Sequence, residues 1–160
     1  EKNFPWGRVL SEKKNFTDLP EMTLNLNPLT EDLRATLENT YREFYESFFL
    51  ALTQDDISLI KHCSESVVKE IFNKYRSSAL IIKDSYDLTS IEWEQNAISI
   101  KNKEGNFTAS AIINLKYNKE KNIWGIPIYS RPDYLYFQTV LVYDEAEGNW
   151  YVGKINEIIK

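Results

Sequence analysis

Six large apolar or aromatic residues recur every three or four positions between residues 33 and 52. They are Leu33, Leu37, Tyr41, Phe44, Phe48 and Leu52. Because an α-helix has 3.6 residues per turn, this spacing places all six side chains on one helical face. Thr30 is a suitable residue to cap the N-terminus of this helix. The acids Glu31 and Asp32 are favourable in the first turn, because the N-terminus of a helix carries a partial positive charge. A helix with one apolar face of this size needs a second apolar surface to pack against.

Two shorter helices are predicted after the first. The segment QDDISLIKHC, residues 54–63, has the pattern of a short helix that begins at Asp55 or Asp56. In SESVVKEIFNKYRSS, residues 64–78, Ser64 stands at the cap position and the apolar residues that follow share one face. The first half of the chain therefore predicts three helices in a row.

The second half has the period of two that is typical of strands. In FTASAIINLKY, residues 107–117, one face carries Phe107, Ala109, Ala111, Ile113, Leu115 and Tyr117. Further strands are predicted at residues 86–95, 97–103, 123–129, 133–143 and 150–158. Turns are expected near Gln95-Asn96, at EGN, in NKEKN (residues 118–122) and around Gly148-Asn149.

Helices followed by antiparallel strands indicate an α+β fold, with three N-terminal helices packed on a strongly curved antiparallel sheet. We expect residues 30–160 to form this one domain. Residues 1–29 contain Pro5, Pro20 and Pro28 and show no sustained period, so we interpret them as an irregular N-terminal arm or linker. The alternation in MTLNLN allows one short edge strand within that arm.

The order of one long helix, two shorter helices and a bent sheet resembles the nuclear-transport-factor-2-like fold over residues 30–160. A narrower resemblance, to one group of proteins with this fold, is carried by three segments: residues 41–66, YDLTSIEWEQ and the closing GNWYVGKINEI. They resemble the extracytoplasmic domain of teicoplanin-resistance-associated membrane proteins of Gram-positive bacteria, and the non-catalytic amino-terminal domain of some penicillin-binding transpeptidases. The resemblance implies a module of a larger envelope protein, held at the membrane through a segment not present in this chain.

The charge and composition of the chain argue against several kinds of partner. A net charge of −5, with lysines scattered among acids, argues against nucleic acid or an anionic membrane surface as the main partner. A single cysteine cannot form a disulfide within the chain. One histidine and one cysteine are too few ligands for a zinc site of the usual kind. We expect no cofactor and no metal, and we expect membrane attachment only through a segment outside this chain.

His62 and Cys63 are the sole histidine and the sole cysteine, and they are adjacent. A catalytic cysteine needs a histidine within hydrogen-bond reach, but neighbouring residues of a helix point about 100° apart. We therefore interpret the pair as structural. His62 is expected in the last turn of the second helix, and Cys63 is expected to fill a small apolar gap.

An enzyme of the isomerase or cyclase type is the first alternative. Such an enzyme needs an acid that faces into a pocket between the helix and the sheet, and Asp87 and Glu92 are the candidates. Trp93 is the natural inward residue if Glu92 faces outward. The second alternative is a structural spacer or dimerisation domain, in which this space is filled by the protein's own side chains.

The best surface candidate is the segment YSRPDYLYF, residues 129–137, which we interpret as a loop. It places Arg131 among Tyr129, Tyr134 and Tyr136, and arginine and tyrosine dominate binding hot spots. We predict that these four residues bind a protein, or a cell-wall or peptide ligand, that carries anionic groups. A non-catalytic binding or interaction module is thus the favoured function, with a homodimer also compatible with the sequence.

Overall fold

The computed structural model describes residues 21–24, 31–76, 82–94, 98–103 and 106–159. Their secondary structure, in chain order, is β1 (Glu21–Leu24), α1 (Glu31–Gln54), a 3₁₀ turn (Ile57–Leu59), α2 (Glu65–Tyr75), β2 (Ile82–Trp93), β3 (Ile98–Lys103), β4 (Asn106–Ile123), β5 (Ile126–Asp144) and β6 (Asn149–Glu157). Helices come before most of the strands and every strand pair is antiparallel, so the α+β class is confirmed.

The long strand β4 is the centre of a six-stranded sheet. Along one side it pairs with β5, which in turn pairs with β6. Along its other side it pairs first with β3 and then with β2, so these two strands lie end to end on the same edge. The short strand β1 pairs with β3, and its position agrees with the edge strand that MTLNLN allowed.

The prediction of three helices is wrong in one element, because the middle helix is only a 3₁₀ turn. Asp55 has a positive φ of 55° directly after the end of α1. Asp56 caps the turn, and its carboxylate accepts a hydrogen bond from the backbone N–H of Ser58 at 3.1 Å. Ser64 precedes α2 as expected, although its side chain makes no capping hydrogen bond.

The apolar face of α1 and the inner face of β4 form the core as predicted. The six residues of the helical stripe each expose 2% or less of their surface, and the alternating residues of β4 from Phe107 to Tyr117 expose 5% or less. Both sets belong to one cluster of buried residues. Because the two faces bury each other, the sheet and α1 depend on one another for stability.

The hairpin of β4 and β5 is longer than predicted. The segment NKEKN is not a turn but the continuation of β4, and residues 129–137 are not a loop but part of β5. The turn is Trp124-Gly125, with φ values of 55° and 76°, as a two-residue hairpin turn with both central residues at positive φ requires. Pro132 is tolerated in β5 because β6 pairs with β5 only from Phe137 onward, which leaves this part of the strand at the sheet edge.

Three strands carry one extra residue each. The register shifts place these residues at Thr89 in β2, Ile128 in β5 and Gly153 in β6. The extra residue at Thr89 reverses which side chains of β2 face the core, so Tyr86 before it and Ile91 after it are both buried. Bulges of this kind bend a strand and increase its twist.

Several sequence predictions lie outside the described residues. These are the capping role of Thr30, the joint near Gln95-Asn96, most of the EGN turn, and the conformation of residues 1–20 and 25–30. The boundary between an arm at residues 1–29 and a domain at residues 30–160 stays a prediction.

Candidate binding surface

Aromatic side chains fill the space between α1 and the sheet. Tyr45 stacks on Phe137, with ring centroids 5.8 Å apart, and packs edge-on against Phe48. The hydroxyl of Tyr41 donates a hydrogen bond to the carbonyl oxygen of Ala109 at 3.0 Å. Burial raises the pKa of both tyrosines far above the usual range. Both phenols therefore stay neutral and serve as packing groups.

The acids that an isomerase-type site would need do not face this interior. Asp87 and Glu92 are both exposed, so neither is the inward acid that the enzyme alternative requires. Trp93 takes the inward position and packs edge-on against Tyr41 at 6.4 Å between ring centroids. The buried polar or charged residues among those described are Arg34, Thr40, Ser47, Asn102 and Thr139, and none of these is a carboxylate.

His62 and Cys63 lie between the 3₁₀ turn and α2. His62 has a φ of 62° and is not in a helical turn, which corrects its predicted position. Its Nε2 atom lies 2.7 Å from Oε1 of Glu43, and its carbonyl oxygen accepts a hydrogen bond from the backbone N–H of Val152 at 2.6 Å. Burial raises the pKa of the Cys63 thiol to about 12, which opposes nucleophilic chemistry. The contacts of His62 connect the segment between the 3₁₀ turn and α2 to α1 and to β6.

The four predicted binding residues all lie in β5, but they do not form one surface. Residues of β5 from Tyr129 onward alternate regularly against β4, with Arg131 opposite Lys119 and Tyr134 opposite Lys116. Tyr129 and Arg131 therefore share the face of the sheet that carries the core, and Tyr134 and Tyr136 share the opposite face. The structure brings together two of the four residues, and it separates them from the other two.

Around Tyr129 and Arg131 lies a surface that we call the distal patch. It consists of Asp84 and Tyr86 from β2, Lys119 and Lys121 from β4, and Tyr129 and Arg131 from β5. The strand registers place these residues in two rows, Tyr86–Lys119–Arg131 and Asp84–Lys121–Tyr129. Because directly opposed residues share a face, all six side chains project from the same side of the sheet.

The distal patch begins where α1 ends. Phe49 near the end of α1 contacts the ring of Tyr86 with centroids 5.9 Å apart. Oγ1 of Thr53 accepts a hydrogen bond from the backbone N–H of Tyr86 at 2.9 Å. The hydroxyl of Tyr86 donates to the carbonyl oxygen of Tyr75 at the end of α2. Both helices thus contact Tyr86.

The charged groups in the distal patch are separated by longer distances than the N···O distance of a tight ion pair. Nζ of Lys119 lies 3.7 Å from Asp84, and Nζ of Lys121 lies 3.9 Å from the same carboxylate. Arg131 lies 4.0 Å from Asp133, and its side chain is 60% exposed. Three cations thus share two carboxylates, which leaves the area with one surplus positive charge in a chain of net charge −5. The exposed pair of Arg131 with Asp133 contributes little to stability and remains open to a ligand, whereas Asp84 is only 13% exposed.

Sequence reasoning missed the two lysines of the distal patch because it assigned them to a turn. The signal was present, since Lys119 and Lys121 continue the odd-numbered alternation that begins at Phe107 and passes through Tyr117. Asp84 carries no such signal, because only the register with β4 brings it to the lysines. A groove of about 570 Å³ adjoins the patch and is lined by Thr53, Lys83, Asp84, Ser85, Asn122, Trp124 and Gly125.

Two further findings bear on the kind of site. Among the residues that the structure describes, no group of three or more His, Cys, Asp or Glu is arranged to hold a metal ion. In the same part of the chain, no helix combines the length and the apolar character that crossing a membrane requires.

One long helix packed across an antiparallel sheet in this strand order defines an α+β domain of the nuclear-transport-factor-2-like class. The sequence model of the YvbJ NTF2-like domain matches residues 37–156, and the chain belongs to this family. The predicted resemblance at the level of the fold is therefore confirmed.

The comparison with solved structures supports the same fold. Eight chains match, and one of them is the crystal structure of the intermembrane space region of the chloroplast protein ARC6. That structure aligns with a TM-score of 0.59 over 79% of this chain and 96% of the other, at 12% sequence identity. A comparison with curated proteins gave no match.

Proposed function

We propose that the chain is a non-catalytic binding module of a larger protein of the cell envelope, and that the distal patch is its binding surface. The observation that carries the proposal is the exposed pair of Arg131 and Tyr129 beside Lys119 and Lys121, on strands held by both helices. A site built on regular strands keeps its geometry without a ligand, which lowers the entropy cost of binding.

The chemistry of the patch favours a peptide segment with acidic side chains. The guanidinium of Arg131 can form two parallel hydrogen bonds with one carboxylate, and it lies 6.0 Å from the centroid of the Tyr129 ring. Tyr129 is 41% exposed and offers an aromatic surface to an apolar part of the same ligand. The shared carboxylate of Asp84 leaves both lysines able to pair with a further anion.

We place this module outside the cytoplasm, anchored through a segment not present in this chain, with the domain extending over residues 30–160. The proposal rests on the resemblance of residues 41–66 and of the closing strand to extracytoplasmic modules of Gram-positive bacteria. The likeness to ARC6 supports the fold of such a module, and the region solved there is named as an intermembrane-space region.

A spacer or dimerisation domain is the second candidate function. The filled interior favours it, because Tyr41, Tyr45 and Phe137 occupy the space in which an NTF2-like pocket would hold a small molecule. The two candidates differ in what they require of the surface. A spacer needs no exposed cationic patch, whereas a binding module loses its partner when that patch is removed.

The test is a pull-down from envelope extract with three proteins. One is the wild type, the second is Tyr129→Ala with Arg131→Ala, and the third is Tyr134→Ala with Tyr136→Ala. The third protein is a matched control, because it removes two side chains from the same strand on the opposite face. We expect the second protein to lose the partner and the third to keep it. Equal recovery by all three proteins would favour the spacer.

A further inference from the structure

The turn between β4 and β5 carries a cluster of exposed apolar side chains. Trp124 is 74% exposed, Ile126 is 62% exposed and Ile128 is 54% exposed. We call these three residues the apolar tip. Single exposed apolar residues are common on protein surfaces, but three within five positions form a local patch. Burying exposed apolar side chains against another surface is favourable in free energy, because it removes them from water.

The backbone of the turn presents this cluster at one end of the β4–β5 hairpin, next to the start of β2. Trp124 has a φ of 55°, a conformation that bulky side chains rarely adopt, and Gly125 follows at 76°. Nothing lies within 4 Å of the position that a Cβ of Gly125 would occupy, so the turn stands in open space. Strand β5 has 19 residues, so the path along it from this turn to its other end is roughly 60 Å long.

Charge is distributed unevenly between the two ends of the hairpin. Beside the apolar tip stand Lys83, Lys119, Lys121 and Arg131 against Asp84, Glu120 and Asp133, a surplus of one positive charge. The turn at the other end of β5 carries Asp144, Glu145 and Glu147. The groove beside the tip adds polar groups from Lys83, Ser85 and Asn122, next to Trp124. The apolar tip is thus flanked by cations in an otherwise acidic chain.

We propose that the apolar tip inserts into the surface of a bilayer that contains anionic lipids. Tryptophan prefers the level of the headgroups, where its ring is apolar and its N–H remains hydrated. The flanking lysines attract anionic headgroups over short distances from the membrane surface. Insertion is shallow and reversible, because the buried apolar area is small.

This inference revises an expectation from the sequence. The net charge of the whole chain argued against contact between this chain and an anionic membrane, but the charge at the tip has the opposite sign. The inference shares Lys119, Lys121 and Arg131 with the proposed peptide site, but its apolar residues are different ones. Trp124 and Ile126 do not belong to the distal patch, so loss of vesicle binding and loss of peptide binding are separable results.

The test is co-sedimentation of the 160-residue chain with vesicles. One set contains phosphatidylcholine with phosphatidylglycerol, and the other contains phosphatidylcholine alone. We expect binding to the anionic set, at least a tenfold weaker partition for Trp124→Ser with Ile126→Ser, and weaker binding in high salt. The matched control is Tyr151→Ser, which removes an exposed aromatic residue of β6 and should leave binding unchanged.

A second measurement does not depend on the fold of the double variant. Brominated lipids should quench tryptophan fluorescence in the wild type, and Trp124→Phe should keep vesicle binding while losing most of the quenching. Of the other three tryptophans, Trp150 is buried and Trp93 is half-buried, so neither reports contact at the tip. Trp6 lies outside the described residues, so both proteins carry Trp6→Phe in this measurement. The proposal is overturned if the wild type does not bind anionic vesicles, binds neutral vesicles equally well, or binds as tightly with the tip removed.

Discussion

The hydroxyl of Tyr45 is hydrogen-bonded to Oγ1 of Thr139, 94 residues further along the chain. Both residues are fully buried. One lies in the middle of α1 and the other in the middle of β5, so the bond joins the helix to the inner face of the sheet. A buried hydroxyl without a partner is costly, so this pair favours one alignment of the helix on the sheet.

Replacing Tyr45 with Phe should therefore lower the free energy of unfolding by about 1–3 kcal/mol, because the hydroxyl of Thr139 loses its partner. The measurement is urea denaturation of the wild type, Tyr45→Phe, Thr139→Val and the double variant. The double variant should lose less than the sum of the two single losses. Strictly additive losses would show that the two hydroxyls do not interact.

The register of β4 is tested by charge substitution. Ile113 is fully buried, so Ile113→Asp should unfold the domain, since an unpaired buried charge costs several kcal/mol. Ile112 is half-buried on the other face, which makes Ile112→Asp a matched control with a much smaller loss. Thermal melting followed by circular dichroism distinguishes them. Equal melting temperatures for the two variants would mean that the register is wrong.

Cys63 should be a poor nucleophile in the folded protein. With its pKa raised to about 12 by burial, on the order of 10⁻⁴ of the thiol is ionised at pH 8. Alkylation by iodoacetamide should be slow in the native state and rapid in denaturant. His62→Ala with Cys63→Ala should keep ligand binding and lose only about 1–2 kcal/mol of stability. Fast native alkylation, or lost binding in a folded variant, would restore the thiol-enzyme hypothesis.

Glu157 should make stability depend on pH. Partial burial opposes its ionisation, but hydrogen bonds from Lys74 at 2.5 Å and from the hydroxyl of Tyr75 prevail, and the net effect lowers its pKa below the usual value of 4.5. A lowered folded-state pKa stabilises the protein above pH 4.5, and this contribution is lost as the pH falls through the folded-state value. Glu157→Gln should cost about 1 kcal/mol at pH 7.

The deficit of the same variant should shrink as the pH falls below 4.5, because the unfolded chain then binds a proton that the folded carboxylate resists. Asp87→Asn, a change of an exposed strand carboxylate, serves as the control and should cost little stability at pH 7. A deficit of Glu157→Gln that stays constant between pH 7 and pH 3 would contradict this account.

Periodicity was sufficient to predict the core and the fold class. The stripe of α1 and the alternation of FTASAIINLKY identify the buried faces, because only one register of each element removes its apolar side chains from water. Local composition was misleading where polar residues continue a strand. The polar composition around Lys119 and Lys121 predicted a turn, but both residues belong to β4 and face the same side as Tyr117.

The candidate site was only half predictable for the same reason. Arg131 and Tyr129 stood out by residue type, but treating residues 129–137 as a loop grouped them with Tyr134 and Tyr136 across the sheet. Asp84 joins the site through a cross-strand register that no local pattern carries. The extra residue at Thr89, which reverses the faces of β2, likewise depends on pairing with β4 rather than on composition.

The central claim is that the distal patch binds a ligand with acidic groups through Arg131 and Tyr129. Fluorescence anisotropy with a labelled oligoglutamate peptide tests it most directly. We predict saturable binding that weakens as salt is added, a Kd at least about tenfold higher for Tyr129→Ala with Arg131→Ala, and an unchanged Kd for Tyr134→Ala with Tyr136→Ala. Equal affinity of the wild type and the patch variant would contradict the claim.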